Sequence, residues 1–379
     1  MTKNLLKTLG YCLSALTLMF TGFTASHAFQ PTMAYVENLQ IDLIFDDAGS
    51  FHNERAAVMI AHQGRAQFAI INPEGDILFT ADEINDVDSG VTAYRKGNLW
   101  GVIDRDGNVL VPPTYPRIQS FKQGFAAFIK NGKWGFLNSA GEEMVPAQYD
   151  KVGVYSEGLA GFQQNGKWGY LNTEGEEIII EQFDETHIFS EQLAAVRIDD
   201  KWGYIDAQGN FLITPQFDQA RVFREGVAAV LVDGEWGYIT NTGDWLIQPQ
   251  FEEAKAFGEG FAVIKQNGLY GYINSSGEIL VQPYFDDAWN FSEGLARVEK
   301  DAMVGYINTD GVTEIEPVFA WAYSFSDGLA VISHNYRQYG FINRQGEVVI
   351  EPQFEHAHPF KEGLAAIKIR DKWGYISKD

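Results

Sequence analysis

The chain has 379 residues, more than an ordinary single domain, so the sequence encodes either several domains or a repeated unit. A hydrophobic content of 45% excludes disorder, and 38 glycines beside 27 Phe, 17 Tyr and 9 Trp point to strands joined by tight turns. Asp and Glu number 51 against 28 Lys and Arg, a net charge of -23 that repels phosphate backbones and argues against nucleic acid as a partner.

The first element reads as a secretory signal peptide over residues 1–28. Lys3 and Lys7 supply its positive region, Leu9 to Phe23 its apolar stretch, and Ser26-His27-Ala28 the small residues of a cleavage site. Gly22 and Thr24 interrupt the apolar run, which argues against a retained anchor. No later run approaches spanning length. The expected mature chain starts at Phe29, is exported to the periplasm or cell surface, and is not inserted in the membrane. The single cysteine, Cys12, lies inside the signal, so stability cannot rest on disulfides.

Residues 29–87 read as degenerate repeats that cap an array. Leu39 to Asp46 looks like the last strand of a unit, Phe68-Ala69 stands where later units have Trp-Gly, and Gly75 follows seven residues on. The array itself is assigned to residues 88–379. Trp100, Trp134, Trp168, Trp202 and Trp236 each precede a glycine and are spaced by 34 residues. The series continues through Tyr270, Val304 and Tyr339 to Trp373. Columns of glycine (Gly141, Gly175, Gly209), aromatics (Tyr149, Phe183, Phe217 and Tyr155, Phe189, Phe223) and alanine (Ala160, Ala194, Ala228) hold the same phase. About ten such units make a tandem repeat array.

Fixed glycines rule out helical units of this period, and the local pattern is that of strands. In "LAAVRIDDKWGYIDAQGNFLITPQFD", Ala194, Val196 and Ile198 alternate with their neighbours, and Trp202, Tyr204 and Asp206 do the same. Asn165-Gly166 and Asn267-Gly268 accept positive φ at both places of a two-residue hairpin turn. A short apolar third strand follows, such as Ile178-Ile179-Ile180, with proline marking its end at Pro215, Pro249 or Pro352. Each unit is therefore expected to be a three-stranded meander plus a connector, too small to bury its own face without neighbours.

The motif seen in "EGLAGFQQNGKWGYLNTEGEEI" and "EGLAAIKIRDKWGYISKD" resembles the WG-containing repeat family of bacterial proteins. The resemblance spans nearly the whole mature chain, strongest from about residue 90. It implies export and interaction without established enzymatic activity, and carries over no catalytic residues.

The all-β array is expected to be an open, curved solenoid, with a closed propeller-like ring as the alternative. Against the ring, propellers usually have about 4–8 four-stranded blades of roughly 40 or more residues. For it, the chain starts on a last-strand element and ends after a second strand, Lys372 to Ser377, an offset that could seal a ring.

The recurring carboxylates, Asp150, Asp184 and Asp218 in one column and Glu157, Glu191 and Glu225 in another, could stack around calcium. They are single and lack dense Asp/Gly spacing, so turn and cap roles are expected instead. His356 and His358 lack an evident third metal ligand and read as an exposed connector. No nucleophile grouping, phosphate loop or zinc motif occurs, so no enzyme, metal or cofactor is expected. The nonrepeating aromatics Trp289, Trp321 and Tyr323 are the candidate binding residues, with Trp245, Tyr336 and Arg337 also outside the pattern. Trp100, Trp134, Trp168, Trp202, Trp236 and Trp373 are structural markers. The expected function is noncatalytic binding of a protein or extended peptide, with a cell-wall or surface glycan as the alternative.

Overall fold

Each repeat folds into one four-stranded antiparallel sheet, and ten sheets follow one another in the computed structural model, which describes residues 38–378 apart from residues 63, 86, 88 and 89. Residues 1–28, the expected signal peptide, lie outside the described residues. Sheet five stands for most of the others. It has a two-residue strand, Glu185–Thr186, a hairpin of Ala194–Ile198 and Lys201–Ile205, and a fourth strand, Phe211–Phe217. The connector expected between three-stranded units thus contains a strand of its own. Two residues suffice because a single residue, Asp184 here, separates it from the preceding fourth strand.

The turns follow the residues that make them. Asn165 and Gly166 both have positive φ, 53° and 81°, as the hairpin requires. In the next turn Gly175 N donates to Asn172 O at 3.0 Å, while Asn172 Oδ1 accepts from Glu174 N and Glu176 N.

The glycine after each Trp has a more specific cause. In sheet five Trp202 pairs with Phe217 and Tyr204 with Ile213, so the fourth strand spends two extra residues passing Gly203. A Cβ on Gly203 would lie 2.5 Å from Ile213 O and 2.6 Å from Pro215 N. The fourth strand crosses where a side chain would stand. Proline consequently lies inside this strand instead of ending it, at a place where its nitrogen meets the Gly203 backbone and no donor is needed. Sheet one tests the rule. With Ala69 in place of glycine, Phe68, Ala69 and Ile70 pair in unbroken register with Ala81, Thr80 and Phe79. Its fourth strand, Ile77–Ala81, is two residues shorter, so Phe68 and Trp100 are 32 residues apart instead of 34.

The array closes. Strand Leu39–Phe45 pairs with Lys372–Ser377 and completes sheet ten, whose remaining strands are His356–Ala357 and Leu364–Ile369. This corrects the open solenoid in favour of a ten-sheet ring. The objection from blade size fails because the two-residue strand lets 34 residues make four strands. The chain termini reproduce contacts that other units make within themselves. Phe45 pairs with Trp373, Ile41 with Tyr375, and a Cβ on Gly374 would lie 2.6 Å from Ile41 O. Ile41, Phe45, Trp373 and Tyr375 share one buried core with Ala48, Phe51 and Val58 of sheet one.

In sheets four to eight and in sheet ten, a tyrosine two residues after the Trp position ties its sheet to the next. Tyr170 Oη donates to His187 O, Tyr204 to Arg221 O and Tyr238 to Lys255 O, at 2.6–2.8 Å. Tyr375 Oη makes the equivalent bond to Gly49 O at 2.8 Å, across the closure. The Trp column is core: Trp100, Trp202, Trp236 and Trp373 are buried, and Trp134 and Trp168 partly so. Trp202→Ala is expected to cost about 3–5 kcal/mol in urea unfolding. A loss below about 1 kcal/mol would place the ring at the surface instead.

Candidate binding site

The acidic columns are absorbed by the architecture. Asp150 accepts from Lys133 Nζ at 2.6 Å and from Asn165 N at 3.3 Å, joining one sheet to the hairpin turn of the next. Lys133 holds the Asp150 carboxyl below the usual range, as Lys167 does for Asp184 and Lys201 for Asp218. In the second column Glu157 accepts from Glu191 N and Gln192 N, Glu191 from Gly226 N, and Glu225 from Gly260 N, at 2.7–2.8 Å. Each carboxylate satisfies turn amides of the following unit, and Glu362 does so for Asn53 and Glu54 across the closure. Among the described residues no group of three or more His, Cys, Asp and Glu is placed to hold a metal ion.

His356 and His358 are half-buried instead of exposed, with ring centroids 5.4 Å apart. His356 stacks on Tyr339 and His358 packs against Trp373, both at 5.0 Å. Burial lowers both imidazole pKa values. Both serve as packing groups, and His358 stands on Trp373 at the repeat position where His187 covers Trp202 and Arg221 covers Trp236.

The nonrepeating aromatics converge on sheets eight and nine. Sheet eight comprises Asp287–Ser292, Leu295–Lys300, Met303–Asn308 and Thr313–Phe319, and sheet nine Trp321–Ala322, Leu329–Ser333, Tyr339–Asn343 and Val348–Phe354. Val304 stands at the Trp position, and sheet eight carries its tryptophan elsewhere. Trp289 occupies the place of His187, and Arg297 the place of Ala195, with its guanidinium 3.7 Å from the Trp289 ring centroid and 5.7 Å from that of Trp321. Arg297 is only 9% exposed. Its Nη1 donates to Ala322 O in sheet nine, its Nε has no partner, and burial lowers its pKa.

Around this buried cation the surface is aromatic. Trp321 lies 5.9 Å from Tyr323, edge-on, and 6.4 Å from Tyr336, whose loop between the hairpin strands of sheet nine is longer than in other units. Trp321 is 37% exposed and Tyr336 60%, while Trp289 and Tyr323 are half-buried. The tyrosine column fixes the backbone beneath: Tyr272 Oη donates to Trp289 O at 2.8 Å and Tyr306 Oη to Tyr323 O at 2.7 Å. The structure therefore brings Trp289, Trp321 and Tyr323 together and adds Tyr336 and Arg297. Sequence reasoning missed Arg297, although an arginine in a column of alanine, glycine and valine was a readable signal. Trp245 lies apart, in the fourth strand of sheet six, edge-on to Phe217. Arg337 is exposed beside Tyr336.

The family model described as WG containing repeat matches eight tandem segments that run from residue 100 to residue 373, the first being 100–134 and the last 339–373. Among curated proteins none matches the chain. PorZ, a surface component of the type-IX secretion system of Porphyromonas gingivalis, is similar at 10% identity and a TM-score of 0.29, over 87% of this chain and 57% of PorZ. The chain thus spans little more than half of that protein. BamB from Moraxella catarrhalis is similar at 12% identity and a TM-score of 0.37, over 73% of this chain and 93% of BamB. The C-terminal WD40 domain of Sif2 gives 11% and 0.36, over 70% and 97%. Among the described residues no helix is long and apolar enough to cross a membrane.

Proposed function

We propose that this chain, which belongs to the WG containing repeat family, is a noncatalytic binding protein that acts outside the cytoplasm and holds a protein or an extended peptide at the aromatic cluster of sheets eight and nine. The observation that carries this reading is the pairing of exposed Trp321 and Tyr336 with a buried, ring-stacked Arg297 beneath them. Repeat positions serve the ring, whereas this group departs from the repeat, and departures free of a packing duty are where selection for a ligand can act. Trp, Tyr and Arg are the residues that most often anchor protein interfaces: Trp and Tyr cover large areas with few rotatable bonds, and the planar guanidinium of Arg stacks on rings and presents a rigid fork of donors. Anchors also lose less entropy when held in place beforehand, as the Tyr272 and Tyr306 bonds do here. Lys3, Lys7, the apolar stretch and Ala28 support export.

The test is capture from envelope extract by the wild-type ring and by Trp321→Ala and Tyr336→Ala variants. Loss of a central anchor should weaken capture of a protein by about 30-fold, the effect of ~2 kcal/mol. If the captured material resists protease and yields to glycan-degrading enzymes, the glycan reading replaces the peptide one. Undiminished capture by both variants would remove the cluster from the binding role.

A further inference from the structure

We propose that the junction between sheets one and two holds a binding cavity for a phenolic ring. The inference stands apart from the aromatic cluster of sheets eight and nine and does not depend on it. Sheet one runs from Asp47–Ala48 through Ala56–His62 and Arg65–Ile71 to Ile77–Ala81. Sheet two runs from Glu83–Ile84 through Val91–Lys96 and Leu99–Asp104 to Val109–Tyr115.

Neighbouring sheets meet through a pair of rings. Tyr204 of sheet five meets Phe223 of sheet six edge-on, with centroids 4.7 Å apart. An equivalent pair stands at each junction from Phe136 and Tyr155, between sheets three and four, round to Tyr375 and Phe51 across the closure. Between sheets two and three Val102 replaces one ring, and Phe121 remains. Between sheets one and two both are gone. Strand pairing puts Ile70 at the place of Tyr204, and Val87 follows Ile84 by three residues as Phe223 follows Ala220. Ala81 also stands at the place of Phe217, but Tyr94, at a valine position, packs on Phe79 and Ala81 and refills that side. The other side stays open as a cavity of about 340 Å³, with Ile70, Val87 and Thr92 in its wall.

The polar groups of the cavity depart from the repeat as well. Thr92 stands where sheet six has Ala228. It is 4% exposed, and its hydroxyl makes no hydrogen bond among the described residues. A buried hydroxyl without a partner is destabilising, and a ligand that bonds it relieves the penalty. On the rim, Arg55 stands where sheet five has Leu193. Its Nε donates to Arg105 O at 2.7 Å and its Nη2 to Asp106 Oδ1 at 3.1 Å, while Arg105 pairs with Glu54 at 2.8 Å. These bonds fix the rim before a ligand arrives and leave its charges paired, which selects a neutral occupant. An apolar cavity of ~150 Å³ accepts benzene, so this one has room for a ring with its hydroxyl. Apolar walls with one polar group at depth match a phenol.

The experiment titrates the whole protein with p-cresol and with toluene and follows the methyl resonances of Ile70 and Val87. Both compounds should shift them. Thr92→Val keeps the shape of the wall and should weaken p-cresol about fivefold, the effect of one hydrogen bond, while leaving toluene unchanged. Val87→Phe and Ile70→Tyr each restore a ring that other sheets carry. Either should weaken both compounds by about tenfold or more, with the urea midpoint held or raised. Trp321→Ala should change nothing. Tighter binding of N-acetyltyrosinamide than of p-cresol would assign the ring to a peptide side chain, and the reverse order to a free small molecule; both outcomes keep the cavity as the site. The proposal is overturned by unmoved Ile70 and Val87 resonances, by a Thr92→Val effect equal for the two compounds, or by undiminished p-cresol binding in both ring variants.

Discussion

Removing residues 38–45 is expected to strip hydrogen-exchange protection from Lys372–Ser377 first and from Leu364–Ile369 next, at the far end of the sequence. The deleted segment supplies the fourth strand of sheet ten, and without it Trp373 and Tyr375 lose Phe45 and Ile41. Closure is also held by polar groups that act together: Lys372 with Asp46, Tyr375 Oη with Gly49 O, and Glu362 with the Asn53 and Glu54 amides. Lys372 holds the Asp46 carboxyl below its ordinary range, so that contact is fully present at neutral pH. Phe45→Ala is the milder form of the experiment. The side chain is fully buried, and its truncation should cost about 3–5 kcal/mol in urea unfolding. Small-angle scattering of the truncated chain should report a larger radius of gyration as the ring opens. Retained protection around Trp373 after the deletion would mean that the ends do not depend on each other, and the ring would have to be abandoned.

The second large effect is expected from Gly203→Ala, a single added methyl group. Its Cβ would sit 2.5 Å from Ile213 O, 2.6 Å from Pro215 N and 2.8 Å from Thr214 C. All three are main-chain atoms, so no rotamer change relieves the overlap. The fourth strand must lift away or lose its two extra residues from the crossing, as in sheet one. Either response breaks the pairing of Tyr204 with Ile213 or that of Trp202 with Phe217. The expected cost is about 3 kcal/mol or more, at the upper end of overpacking effects. Gly258→Ala is the control, since its added Cβ meets only Asn290 Nδ2 at 3.7 Å and its φ is not in the left-handed region. It should change stability by less than about 0.5 kcal/mol. Equal costs at the two positions would show that the crossing is not what the Trp-Gly glycine is for.

Much of this molecule is legible in its sequence, for a physical reason. A repeat writes each local requirement many times, so columns separate what a unit needs from what one position happens to hold. The 34-residue period, the Asn-Gly hairpins and the Asx turn before Gly175 all depend on residues within a few places of each other. The nonrepeating Trp289, Trp321 and Tyr323 stood out by the same logic, as departures from a known pattern. Four features were not legible, because each depends on contacts beyond the reach of any local pattern. Glu185–Thr186 is too short to show a period of two, and it is a strand only because Val196 and Arg197 pair with it. The role of Gly203 requires the path of the fourth strand over it, which no local pattern describes. Arg297 becomes part of a site only when sheet nine brings Trp321 and Ala322 against it. Closure is the clearest case. Leu39 to Asp46 announced itself as a last strand without a unit, and Lys372 to Ser377 as a unit without a last strand. Sequence determined that both halves exist; only the curvature accumulated over ten packed sheets decided that they meet.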